Sequence, residues 1–221
     1  MTKLVVVLKK NKELDVETFQ SQWLQSDVSV LKALPSLKSY SQSHTLKAGY
    51  SKITPVADGI AEFGFENIED CREYINSDEF DRFRLGLNKF TEAEKNIYLV
   101  VEEHVIKDNK ISPEGVKSIE LVKKKKGMRV QDFQRYWTEI HGPLGASISQ
   151  VNRYVQNHVT PDSYGLGEPP LLDGLAITWF DSTQDMRGAA LTEEYRLTRD
   201  DEKNFLTIPL DFIITKEHLV F

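Results

Sequence analysis

The chain has 221 residues, 40% of them hydrophobic, with 28 Lys plus Arg against 34 Asp plus Glu and a formal net charge of −6. This balance excludes disordered and fibrous classes, and the acidic surplus argues against a nucleic-acid partner, whose phosphates it would repel. The single cysteine, Cys71, excludes an internal disulfide and a thiolate zinc cluster.

In chain order, Leu4 to Leu8 is an apolar run of five residues. A secretory signal needs about 7–15 apolar residues and a membrane span about 18, so the run reads as a buried first strand. The expected setting is the cytoplasm, with no membrane partner. Val16, Phe19 and Trp23 then recur at helical spacing. Tyr40, Gln42 and His44 alternate at strand spacing. Asp58-Gly59 marks a turn into a third strand ending at Phe65, followed by a helical segment over 68–87 and a last strand over Ile97–Val101.

The order then repeats. Strands are expected at Ile119–Val122, through Tyr154, Gln156 and His158, at Leu175–Phe180 and at Leu210–Thr215, with helices carrying Val130, Phe133, Trp137 and Ile140 and spanning 182–197. Residues 3–44 overlay residues 117–158 without a gap, with 11 of 42 pairs identical. Chance predicts about two or three. Asp58-Gly59 meets Asp173-Gly174, and Glu103-His104 meets Glu217-His218. This is the pattern of a tandem duplication. It predicts units at 1–106 and 116–221 joined by a polar linker at 107–115. Each unit reads as β-α-β-β-α-β, a ferredoxin-like α+β unit. Two such sheets packed face to face within one chain make an intramolecular dimeric α/β barrel, a pseudo-dimer that leaves room for a further homodimer.

The second half carries Phe133-x-x-x-Trp137-x-x-x-His141-Gly142-Pro143, then Arg153-Tyr154-x-Gln156-Asn157-His158, then Asp173-Gly174. This set resembles the EthD family of the dimeric α/β-barrel proteins. The first half resembles a degenerate copy: it keeps Trp23, Tyr40, Gln42 and His44, has Asp27 at the motif histidine, and lacks Gly-Pro. EthD proteins are associated with ether-degradation gene clusters and fungal polyketide pathways. Related barrels include cofactor-free monooxygenases, cyclases, isomerases and haem-binding enzymes, and a shared fold does not choose between them.

His141 sits four residues after Trp137, with Gly142-Pro143 following. Read as a helix C-terminus, this position favours the protonated ring and places its titration near neutrality, suited either to acid/base chemistry or to capping. Tyr154, Gln156 and His158 face one side of a strand, as do Tyr40, Gln42 and His44. Such rows either orient a polar substrate or form an internal network. Trp137 and Trp23 read as core, and one of the adjacent pair Trp179 and Phe180 is expected to line a cavity.

Together these residues predict a cofactor-free enzyme, a lyase, cyclase or oxidoreductase acting on a small apolar carbonyl or phenolic compound. His141, His158 and Tyr154 are the catalytic candidates. Trp137, Gln156, Trp179, Tyr40, His44 and Asp27 are the substrate-binding ones. No metal ligand set is expected, since no histidine-rich or Cys-His motif is present. The alternative is a non-enzymatic carrier of a small hydrophobic or aromatic molecule. The lysines at 123–126 read as a solvated loop or an anion-attracting mouth, and the segment from Gly165 to Pro170 as a lid over the second pocket.

Overall fold

The computed structural model describes residues 1–26, 31, 34–51, 53–165 and 167–221. Asp27 lies outside the described residues. The chain is a mixed α/β protein of two compact units, Met1–Val101 with Thr215–Phe221, and Glu102–Ile214.

In the first unit, β1 (Thr2–Leu8), β3 (Gly59–Phe65), β2 (Leu37–Thr45) and the end of β8 (Asp211–Leu219) lie side by side in that order. Its helices are α1 (Val16–Leu24), α2 (Ile68–Ile75) and α3 (Asp78–Leu87). In the second unit the order is β5 (Val116–Val122), β7 (Gly174–Phe180), β6 (Arg153–Val159) and the end of β4 (Ile97–Asp108). Its helices are α4 (Val130–Tyr136), α5 (Gly142–Ser147), α6 (Thr183–Ala189) and α7 (Glu193–Asp201).

Each segment expected as one long helix is two. Ser77 accepts from Phe80 N and caps a new start at Asp78, and Thr192 accepts from Tyr195 N and caps one at Glu193. The last strands run further than their apolar cores. β4 continues to Asp108, two residues into the stretch expected as linker, where Lys107 Nζ donates to Ile148 O at 2.8 Å and Arg153 pairs with Asp108 at 2.6 Å.

The two antiparallel registers match row for row. In the first unit Leu4 opposes Phe63, which opposes Tyr40, and Val6 opposes Ala61, which opposes Gln42. In the second, Ser118 opposes Thr178, which opposes Tyr154, and Glu120 opposes Ala176, which opposes Gln156. The first unit fills this face with aromatics: Phe63 packs on Tyr40, Phe83 and Tyr74 at centroid distances of 4.6, 5.0 and 5.6 Å. With Ser118, Glu120 and Thr178 in place of Leu4, Val6 and Phe63, the second unit leaves the corresponding face of its own sheet less filled.

Candidate active site

The second unit has an open cavity of about 250 Å³. Ile148, Val151, Phe180, Met186 and Phe212 make its wall apolar, while Glu120, His141, Tyr154, Arg199 and Glu202 supply the polar groups. The first unit has a larger groove of about 690 Å³, lined mostly by residues of α3 and of the segments that follow α1 and α3. Its polar groups are surface side chains such as Gln22, Gln25 and Arg82, with no histidine among them.

His141 is not at a helix end. A π-helical turn, Trp137–His141, follows α4, and Gly142 N bonds to Trp137 O, five residues back. The widened turn lets Pro143 open α5 at a position that needs no N–H donor, so the helical path continues past the Gly-Pro pair. The expected C-terminal dipole therefore does not act on the ring. His141 is buried, and burial pulls its pKa below 6.5, the ordinary histidine value, with Asp201 opposing.

Asp201, the last residue of α7, lies 2.9 Å by Oδ2 from His141 Nδ1. Its Oδ1 accepts from Tyr136 OH at 2.6 Å and from Asn204 Nδ2 at 2.8 Å. Burial acts to raise the Asp201 pKa, but the hydrogen bonds from Tyr136, Asn204 and His141 prevail and lower it. An ionised Asp201 accepts the Nδ1 proton, which fixes the neutral tautomer of His141 with its lone pair on Nε2. Nε2 has no hydrogen-bond partner among the described residues. The imidazole packs against the Phe205 ring, tilted by 51° with centroids 4.7 Å apart.

Tyr154 also lines the cavity. Its hydroxyl oxygen accepts from Trp137 Nε1 at 3.2 Å and Gln156 Nε2 at 3.0 Å, so its own proton is available to a ligand oxygen. Burial pushes its pKa up and keeps it protonated. Close to it, Arg199 Nη1 holds Glu120 at 2.9 Å and Glu202 at 2.7 Å.

The remaining expected residues are placed elsewhere. The amide of Gln156 is fully used: Nε2 donates to Trp137 O and Tyr154 OH, and Oε1 accepts from Thr138 Oγ1 and His158 Nε2. His158 stacks on Trp137 and does not line the cavity; burial, with His104 adding, pushes its pKa down to about 3. Tyr40, Gln42, His44 and Trp23 make the same bonds in the first unit, where Trp23 Nε1 donates to Tyr40 OH, Gln42 Nε2 to Trp23 O and Tyr40 OH, and His44 Nε2 to Gln42 Oε1. Both rows are internal networks, and a substrate finds their amides already satisfied. Trp179 points away from the cavity, with Lys117 and Arg153 over its ring at 4.8 and 5.4 Å, and its neighbour Phe180 lines the cavity. The described residues of the segment from Gly165 to Pro170 do not line it either.

Asp201, Glu120, Arg199 and Glu202 were not singled out from the sequence. For Glu120 a signal exists: it stands where the repeat has Val6, a charge in an apolar strand position. Among the described residues no group of three or more His, Cys, Asp or Glu converges as a metal site.

Residues 125–208, within the second unit, match the EthD domain model. No curated protein matches the chain. Among solved structures, an anthrone oxidase-like protein is 12% identical over 99% of this chain and 91% of its own, with a TM-score of 0.64. A putative monooxygenase from Lactobacillus acidophilus is 13% identical over 99% and 94%, at 0.58. A heme-binding protein from Thermus thermophilus is 11% identical over 98% and 90%, at 0.55. At these identities the likeness establishes the fold.

Proposed function

We propose that the chain is a small-molecule enzyme whose second unit uses His141, oriented by Asp201, as a general base in a largely apolar cavity. The observation that carries this reading is the 2.9 Å contact from His141 Nδ1 to Asp201 at the cavity wall. A neutral imidazole with a carboxylate on one nitrogen offers the other as a proton acceptor. The ligand is a compound of one or two rings with an acidic hydrogen, a phenol or an activated ketone, whose oxygen accepts a hydrogen bond from the Tyr154 hydroxyl. Cyclisation, dehydration and oxygenation all proceed from the anion such a base forms. The names anthrone oxidase-like and putative monooxygenase among proteins of this fold support that substrate class.

The chemistry proposed needs no cofactor. A cavity of about 250 Å³ is below the range of about 300–1,000 Å³ typical of pockets for drug-sized ligands, which favours a compact compound over a macrocycle. The matched networks of the two units support a tandem duplication in which only the second copy kept a reactive cavity. The intramolecular pairing of the copies belongs to the same proposal.

The test is a panel of bicyclic phenols and ketones. Turnover of at least one by the wild-type protein, lost in His141→Ala, is the expected result. Binding without turnover would favour the carrier reading.

A further inference from the structure

We propose that Glu202 is the acid partner of His141, and that the two residues together enolise a cyclic ketone in the second-unit cavity. The proposal rests on the His141 reading and adds a second proton-handling arm to it. Glu202 and His141 line the same cavity. Arg199 Nη1 lies 2.7 Å from Glu202 Oε1 and 2.9 Å from Glu120 Oε1, so two carboxyl groups converge on one guanidinium nitrogen. The Glu202 side chain is 5% exposed. Two carboxylates on one guanidinium nitrogen leave one negative charge uncompensated beside the buried Glu202, and holding a proton on that carboxyl is the less costly arrangement.

The groups facing Glu202 are Glu120 from β5, Tyr154 from β6, Tyr195 and Arg199 from α7, and Asp201 beside it in the chain. His141 from the π turn and Arg187 from α6 share the cavity. Among them, burial first and the Glu120 charge second push the Glu202 pKa up to about 8, against the pull of Arg199. Burial raises Glu120 as well, but the Glu202 side chain is far less exposed, 5% against 27%, so the proton is placed on Glu202, an O–H donor in the cavity where His141 is a neutral acceptor.

In the proposed step His141 Nε2 takes an α-hydrogen of the ketone. The C–H electron pair becomes the C=C bond of the enol. The carbonyl π pair takes up the proton of the Glu202 carboxyl and becomes the O–H bond. Imidazolium and carboxylate remain, and solvent returns the proton from one to the other. No oxidant or reductant enters. Glu120 acts as a positioning residue, since its charge beside Arg199 adds to burial in keeping the proton on Glu202.

The experiment follows deuterium entering the α-carbon of 2-tetralone in heavy water by NMR, as a function of pH. The wild-type protein is expected to accelerate exchange, with a basic limb near the Glu202 value. Glu202→Gln should lower the neutral-pH rate at least about tenfold and remove that limb. Glu120→Gln should move the limb to lower pH, because Glu202 then ionises beside Arg199 alone. His141→Asn should stop exchange. If Glu202→Gln keeps the wild-type rate and limb while His141→Asn is dead, Glu202 is not the acid and the base reading stands. If His141→Asn exchanges like wild type, the base reading itself fails. If the wild-type protein does not accelerate exchange, enolisation is overturned. Should Glu202→Gln fail to fold, the Glu120→Gln shift decides: an unmoved limb overturns the proposal.

Discussion

Trp137 and His158 lie face to face, with ring centroids 4.4 Å apart and planes 2° from parallel. Trp23 and His44 repeat the arrangement at 4.3 Å and 4°. In both units the indole N–H donates to a tyrosine hydroxyl and a glutamine amide ties the histidine to the tyrosine. The repeated tryptophan, glutamine and histidine are therefore a structural fixture, Tyr154 serves both this network and the cavity, and the other reactive candidates are those in which the two units differ.

Trp137→Ala should destabilise the protein by about 3–5 kcal/mol, because it empties a fully buried site packed by Phe133 and His158. His141→Ala should cost less, about 1–3 kcal/mol, since Asp201 keeps its bonds from Tyr136 and Asn204. Denaturant melts of both variants check the order. Equal losses would make His141 a structural element.

Gly174→Ala should destabilise sharply. An added Cβ would lie 2.4 Å from Asn157 O and 2.8 Å from Trp137 Cζ3. At Gly59 it would lie 2.3 Å from Trp23 Cζ3. Overpacking of this kind costs about 1–3 kcal/mol or more, because the obstacles are backbone and a buried ring. Gly188→Ala, with nothing within 4 Å of its Cβ and a helical position that favours alanine, is the control and should melt at or slightly above wild type.

The paired histidines make stability pH-dependent. His44 and His158 have folded pKa values of about 3 against an ordinary 6.5, both lowered chiefly by burial. The folded state excludes protons that the unfolded state binds. Their contribution is fully present above the ordinary value and is lost as pH falls from there toward about 3. Urea midpoints should drop steadily on acidification, and His158→Gln should flatten the slope. A slope unchanged in that variant would show that His158 is not the group responsible.

Asp201→Asn should leave the fold intact and reduce turnover by about 10²-fold or more, because the neutral amide no longer holds the proton on Nδ1. Thermal melts together with turnover separate this from a folding defect. Wild-type activity in Asp201→Asn would remove Asp201 from the account.

Periodicity shows the strands and α1 because their apolar residues recur with clean spacing, as in Leu4 to Leu8 and in Phe19 with Trp23. The breaks at Ser77 and Thr192 are less visible, since a serine or threonine inside a helical pattern marks a cap only when its neighbours fold around it. His141 is legible as a candidate, yet its setting is not. The π turn that carries the helix past Gly142-Pro143 depends on the backbone bond to Trp137 O, and Asp201 lies 60 residues away in sequence. Glu120 is readable only by asking where the repeats disagree, with Val6 as the reference.

His141 is a neutral base in the resting protein, with its proton on Nδ1. Nitrogen-15 NMR of the imidazoles, with His141→Asn to assign the signal, measures this directly. The ring is expected to be neutral and protonated on Nδ1 at neutral pH, to titrate below the ordinary value of 6.5, and to shift its titration in Asp201→Asn. A ring that is already cationic at neutral pH, or that carries its proton on Nε2, would contradict it.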